Sequence, residues 1–597
     1  MIGLLQRPRE LLAPIVSRRS VQTVLPLLLY TFFAVVWIGR GVVLHPTTEV
    51  LGNVDHDKTI LMWSFVWWPH AIAHAHDPFV ADVIWAPHGV DLAWVTSSPT
   101  LSLVLSPLTE TLGPVFSYNF AALAAPPLAA WTTFLLARRL TAHVPASLVA
   151  GFLFGFSPYV ISQSIGHLNL SFVCLVPLAG LLAVRFFEGS LGPRRFTALL
   201  TLVLVLQFGI STEIFATLTL LAVICFVLAL LLDPGPRLAA LARHTSLAYL
   251  AAGVAVTPYL VHAFRTSAPP VRRLAALHTL DLANIVVPTR TTWLRPPNSE
   301  GVARGFTSGL AELGGYVGLP LLAILVLALV MQPAGRVRRG LWLLFLAAVA
   351  AVVMAVGPTV TVAGHEAGTG VWSLMERLPA LGVAIPIRLV MYAVLFIALI
   401  TAVWLAQPGL RLWRFVLAGI AVLSFLPTPS GAFWTSGVRE PQFFATSVYR
   451  EFIRPGDRAL VLPYVERDGW SMLWQAETGF RFSMIGGHIG QVIIPAECHW
   501  AHAWESLRRG LPHAGVGGFR RFLLAHKVTV IVVGLHTHVW SRLIVAAALP
   551  DVRPTAVAGV KVYRLRPGLP LALPPGGLPL PPLTLRTAPG EAICGRR

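Results

Sequence analysis

The chain of 597 residues is 55% hydrophobic and only 12% charged, with a mean hydropathy of +0.71, whereas an ordinary soluble domain carries roughly 25% charge. A soluble globule cannot hide that much apolar surface, so the composition predicts a polytopic membrane protein. The formal charge of +19 does not point to nucleic acid, because the arginines are spread over short loops instead of forming one stripe.

In chain order, residues 1–21 carry Arg7, Arg9, Arg18 and Arg19, and an apolar run follows at 22–44 with no small-residue cleavage pattern after it. This predicts a cytoplasmic N-terminus and a retained first span. A helix rising about 1.5 Å per residue needs roughly 20 residues to cross the hydrocarbon core. About eleven stretches meet that length: 22–44, 117–137, 145–162, 170–187, 196–211, 213–232, 245–264, 316–332, 341–359, 386–405 and 413–428. Arg138/Arg139, Arg185, Arg194/Arg195, Arg237/Arg243, Arg336/Arg338/Arg339 and Arg411/Arg414 flank these spans, and the positive-inside rule assigns them all to the cytoplasm.

That parity sends two long loops, 45–116 and 265–315, and two short turns, 164–169 and 211–213, to the outer face of the plasma membrane. Within the first loop, the Trp-rich stretch 57–76 and the Pro-containing stretch 97–112 read as helices lying in the membrane interface. The second loop holds Arg265, Arg272, Arg273, Arg290, Arg295 and Arg304, so many outward cations that an anionic partner such as a phosphate or lipid headgroup is expected.

After the membrane domain, 22–430, polarity becomes ordinary. The runs ALVLP (459–463), VTVIVVG (528–534) and VKVYRL (560–565) read as strands and 537–549 as a helix, predicting a small extracytoplasmic α/β domain over 436–566. The tail 567–597, rich in Pro, Gly and Leu, is left disordered or extended. The four cysteines offer no CxxC spacing, so neither a metal nor a disulfide is claimed for them.

Several polar residues stand where this layout makes chemistry possible. Asp55 and Asp57 precede the Trp-rich helix. A carboxylate there can serve as a general base, can hold a divalent cation, or can simply cap the helix. Glu213 lies between two spans at the same face, either as a functional carboxylate or as a turn residue among headgroups. His167 and Asn169 form a polar outer turn able to hydrogen-bond sugar hydroxyls, or no more than a turn. Arg388, at the start of a span, can clamp a phosphate with Arg272 and Arg273 on the same face, against the alternative of snorkelling. Glu312 precedes another span, where it orders the loop or complements a helix N-terminus. His70 and His74 have ligand spacing but no assured third ligand, so no metal site is assigned. No GxxxxGK[ST] or Rossmann-type GxGxxG is present.

The acidic Asp55/Asp57 pair, two interfacial helices after it, seven spans before a large outer loop and a C-terminal soluble domain together resemble the GT-C glycosyltransferases. These are multi-spanning enzymes that use polyprenyl-phosphate sugars. The runs Trp67-Trp68-Pro69-His70-Ala71, Asp77-Pro78-Phe79, Ala86-Pro87-His88-Gly89-Val90 and Gly155-Phe156-Ser157-Pro158-Tyr159 look more narrowly like uncharacterised actinobacterial-type members. The resemblance covers roughly residues 20 to 430. It implies a mainly α membrane fold and hexosyl or pentosyl transfer from a polyprenyl-phosphate donor to an envelope glycan, lipid or protein. It further implies Asp57 or Asp55 as the base and cations holding the donor phosphate. No cofactor is called for beyond the optional cation at Asp55/Asp57. The competing readings are a transporter or lipid flippase, which would concentrate charge near the bilayer midplane, and a non-catalytic envelope scaffold.

Overall fold

The computed structural model describes residues 18–52, 57–266, 278–331, 336–375, 384–409, 412–464, 469–488, 494–509 and 515–565. Asp55, Arg272, Arg273 and the Pro-rich tail therefore lie outside the described residues. Among the described residues, seven helices are long and apolar enough to cross a membrane: Pro114–Thr141, Val144–Gln163, Leu168–Phe187, Pro193–Ile210, Thr212–Leu232, Val337–Ala355 and Pro386–Leu405. Pro236–Ala255 and Thr257–Arg265, bent by 66° at their junction, make an eighth if they form one broken span.

The expected count of eleven is not reached among the described residues. The other three expected spans carry shorter apolar stretches there: Gln22–Trp37, within the 20-residue helix Arg18–Trp37, Leu319–Val330 and Leu412–Ser424.

The bundle has an inside and an outside, both apolar. Val144–Gln163 and Pro386–Leu405 are mostly buried, whereas Thr212–Leu232 is mostly exposed, and Leu231, Leu250, Val254 and Phe264 point outward from the periphery. Only a hydrocarbon solvent makes such a surface stable. The closest helix approach depends on Gly151 and Gly155, one helical turn apart. A Cβ at Gly155 would stand 2.5 Å from both the Pro126 carbonyl oxygen and the Ala130 amide nitrogen, and one at Gly151 would stand 2.6 Å from the Ala130 carbonyl oxygen. This small-xxx-small spacing lets Val144–Gly155 lie directly on Pro114–Thr141. At one end of the bundle Arg139 Nε donates to Glu188 at 2.6 Å and Arg339 pairs with Asp233 at 2.5 Å, tying the basic helix ends together.

At the other end lies the Asp57–Ala73 helix, and it is not interfacial as expected. Trp63 and Trp67 are fully buried and stacked at 5.4 Å. Their indole N–H groups donate to Gln475 Oε1 at 3.0 Å and to the Pro78 carbonyl at 3.1 Å. A belt of tryptophans at a membrane surface and a tryptophan core under a second layer share one composition, and here residues 469–488 supply that second layer. The stretch 97–112 is two short helices, Pro99–Val104 and Ser106–Leu112, with Leu101 and Leu105 buried and Leu103, Val104 and Leu112 exposed.

A short strand β1 (Glu49–Leu51) pairs antiparallel with β2 (Thr435–Gly437), joining the first loop to the chain that leaves the bundle. Beyond it stand β3 (Arg458–Leu462), β4 (Ser483–Met484), β5 (Val530–Gly534), β6 (Thr555–Val557) and β7 (Val560–Arg564), in the sheet order β6-β7-β5-β3-β4. β5 is buried at all five positions and pairs parallel with β3, as a β-branched run covered on both faces should. The runs read as strands at 459–463, 528–534 and 560–565 correspond to β3, β5 and β7. This layer shares its core with the first loop. Met484 N donates to the Val83 carbonyl at 2.8 Å, the Met484 carbonyl accepts from Ala86 N at 3.0 Å, and Trp85 packs on Trp504 at 5.1 Å. Trp470, Trp474 and Trp504 are core residues. Cys498 is disulfide-bonded, contrary to the sequence reading.

Candidate active site

The end of the bundle beneath this layer gathers charge that local sequence placed on separate elements. Ser211 breaks the chain between two helices and caps the second, its hydroxyl accepting from Ile214 N at 3.3 Å, which leaves Glu213 in the first helical turn. Pro386 opens the turn that carries Arg388, and a 3-10 turn, Leu310–Glu312, presents Glu312. Glu213 Oε1 accepts from Ile385 N at 2.9 Å and Glu213 Oε2 from Arg388 Nη1. Arg388 Nε lies 3.2 and 3.1 Å from the two Glu312 oxygens, and Arg388 Nη2 donates to Glu312 Oε1. Two carboxylates thus share one guanidinium in a site from which water is largely excluded. Burial pushes the Glu312 carboxyl up, but the adjoining Arg388 charge and hydrogen bonds outweigh it and hold the group at about 2.

From Glu312 the network runs outward. Gln163 Nε2 donates to Glu312 Oε2 at 2.8 Å, which turns Gln163 Oε1 toward His167 Nδ1, also 2.8 Å away. His167 Nδ1 therefore carries a proton. His167 Nε2 is 3.5 Å from Asp57 Oδ2, and His488 Nε2 is 2.9 Å from Asp57 Oδ1. With Nδ1 committed to Gln163, His167 can serve Asp57 as a donor only as imidazolium. The Asp57 side chain retains 31% of its exposure, against 20% for Glu213 and 5% for Glu312. His278 stands beside the same charges. Its ring Nδ1 is buried without a partner among the described residues, and burial lowers its proton affinity.

Five of the residues singled out from sequence, Asp57, Glu213, His167, Glu312 and Arg388, thus meet in one connected cluster. Asn169 is buried nearby but does not join these hydrogen bonds. Arg388 is not the free phosphate clamp expected of it, because each of its three nitrogens already donates to Glu213 or Glu312. Asp55, Arg272 and Arg273 lie outside the described residues. Sequence reading missed Gln163, His278 and His488. Gln163 was accessible as the residue one helical turn before His167, whereas His488 is 431 positions from its partner. Both oxygens of Asp57 face imidazole nitrogens, so a cation held there would have to take a histidine as ligand or displace it. Among the described residues no group of three or more His, Cys, Asp or Glu side chains is arranged to hold a metal.

The fold of this bundle and the layer that caps it is similar to that of solved membrane glycosyltransferases. The arabinofuranosyltransferase AftD from Mycobacteria matches with a TM-score of 0.53 at 14% identity, over 92% of this chain and 40% of that one. A mutant form of AftD gives 0.55 at 14% identity, over 92% and 41%. This chain therefore spans about two fifths of AftD. The oligosaccharyltransferase AglB from Archaeoglobus fulgidus, solved with an inhibitory peptide and a dolichol-phosphate, matches with a TM-score of 0.47 at 12% identity, over 93% of this chain and 75% of that one. No curated protein matches. Residues 27–426 match the family described as Domain of unknown function (DUF6311), and the chain belongs to that family.

Proposed function

We propose that the protein is a membrane glycosyltransferase that moves a sugar from a polyprenyl-phosphate donor to a hydroxyl acceptor of the cell envelope. The observation that carries this reading is the division of labour within one cluster. Glu213 and Glu312 are spent on Arg388, while Asp57 keeps an exposed edge and is oriented by two imidazoles. Asp57 is the base. It takes the proton of the acceptor hydroxyl as the acceptor oxygen bonds to the anomeric carbon, and the bond from that carbon to the phosphate oxygen breaks on the opposite face, inverting the centre. His167 passes or stabilises that proton, and the Arg388 group holds His167 in place through Glu312 and Gln163.

The leaving polyprenyl phosphate is dianionic and needs cations. With Arg388 engaged, that role falls to the arginine-rich connection. Arg290, Arg295 and Arg304, the first of them paired with Glu300, line a cavity of about 300 Å³ that also touches Leu310 and Leu313, on either side of Glu312. Arg272 and Arg273 belong to the same connection. Trp293 and Leu294 beside it are exposed, as suits a site facing a lipid chain. The cluster sits at span ends and not mid-bundle, which favours an interfacial enzyme over a transporter. On this reading the N-terminus is cytoplasmic and the Asp57 end extracytoplasmic.

The test is transfer by the purified protein in lipid, with a panel of polyprenyl-phosphate sugars and an envelope extract as acceptor. Wild type should transfer one of the sugars, and Asp57→Asn should bind donor without transferring it. Undiminished transfer by Asp57→Asn removes the base assignment; donor binding with no transfer by any form removes the enzyme.

A further inference from the structure

A second cavity, of about 310 Å³, lies in the C-terminal layer, and none of the Asp57 cluster residues is in its lining. Its walls are the segments that leave two neighbouring parallel strands at their carboxyl ends: Tyr464 after β3, and His536, Thr537 and His538 after β5. Connections diverging from adjacent parallel strands leave a crevice there, the usual ligand position of open α/β sheets. The ten-residue helix Val539–Ala548 starts at the same place. Its N-cap is His538, whose ring accepts from Trp540 N at 3.3 Å, so the positive end of the helix adjoins the cavity.

Two side chains there are without partners. Thr537 and Ser541 line the cavity, each is only 2% exposed, and among the described residues neither hydroxyl has a hydrogen-bond partner. A buried hydroxyl left unpaired is unfavourable, and two in one cavity point to a ligand that satisfies both. Among the described residues the lining carries Arg439 and two histidines and no carboxylate. The volume stands at the lower end of the range for small-molecule sites, roughly 300–1,000 Å³.

We propose that this cavity is a second ligand site for a sugar-sized oxyanion, a phosphate ester or a carboxylate. The Thr537 and Ser541 hydroxyls donate to its oxygens, and Arg439 and the start of the Val539–Ala548 helix supply positive potential. The site is independent of the glycosyl-transfer reading.

The experiment is calorimetric titration of the full-length protein in lipid nanodiscs with glucose 6-phosphate, glucuronate, inorganic phosphate and glucose. The comparison is wild type, the double variant Thr537→Val/Ser541→Ala, Thr537→Ser and Asp57→Asn. Glucose 6-phosphate or glucuronate should bind wild type, and whichever binds identifies the oxyanion. The double variant should weaken that binding by roughly tenfold or more, while Thr537→Ser and Asp57→Asn bind as wild type does. Equal thermal stability of the double variant separates lost contacts from lost folding; where the double variant fails to fold, Ser541→Ala alone, which removes one donor, should weaken binding in its place. The proposal is overturned if none of the three anions binds, if glucose binds equally well, if the double variant matches wild type, or if Asp57→Asn abolishes binding.

Discussion

Asp57 and Arg388 stand at opposite ends of one connected cluster, and they are held in opposite ways. Arg388 is enclosed, with both partners charged and its donors committed. Asp57 is a third exposed and steadied by two imidazoles that can exchange protons with it. Removing one member of an enclosed ion group strands the charges it paired with, whereas an accessible carboxylate can change its protonation without disturbing the fold. The same residue types thus divide into an enclosed group and an accessible one according to solvent access.

The largest effect expected from breaking this contrast is at the enclosed end. Arg388→Met leaves Glu213 and Glu312 facing each other without a counter-charge and should cost about 3–5 kcal/mol, seen as loss of monodisperse protein or a steep fall in thermal stability; Arg388→Lys should recover only part. At the open end, Asp57→Asn should lower transfer about 10²–10⁴-fold while the melting temperature stays near that of wild type. If it instead unfolds the protein as Arg388→Met does, the two ends are not different in kind.

Acid should act on the enclosed end. The Glu312 carboxyl is held at about 2 against an unfolded value of 4.5, so its contribution is fully present above pH 4.5 and is lost as pH falls from there toward 2. That amounts to roughly 3 kcal/mol. An acid unfolding midpoint in detergent that is unmoved by Glu312→Gln would contradict this. The smallest effect concerns neither end. Gly155→Ala puts a Cβ 2.5 Å from Pro126 O and Ala130 N, and the resulting displacement of the helix that carries Gln163 should cost about 1–3 kcal/mol. A smaller loss of activity than stability is expected, and an unchanged melting curve would show that the helix pair can separate freely.

Part of this site was legible in the chain itself. Glu213, Glu312, His167 and Arg388 are polar residues at the borders of long apolar runs, and hydropathy places those borders with no knowledge of the fold. Their partners were less accessible. Gln163 is one turn from His167 and could have been found by helical spacing, but nothing local marks His488, in Gly486-Gly487-His488, as the donor to Asp57. The Trp-rich helix was placed correctly along the chain and wrongly in space. A stripe of tryptophans has the same pattern whether lipid headgroups or residues 469–488 cover it.

Composition and local periodicity determined by themselves that this chain lives in a membrane, that charge collects at the ends of its spans, and that its last third contains strands. These follow from solvent partition and backbone geometry, which act on neighbouring residues. Tertiary structure alone decided that the Trp-rich helix is buried, that Arg388 is bound to two glutamates and so is not an open phosphate clamp, and that Asp57 meets histidines from two distant segments. Those outcomes rest on close packing and on pairing charges out of water, which depend on which surfaces meet and cannot be read from the order of residues along the chain.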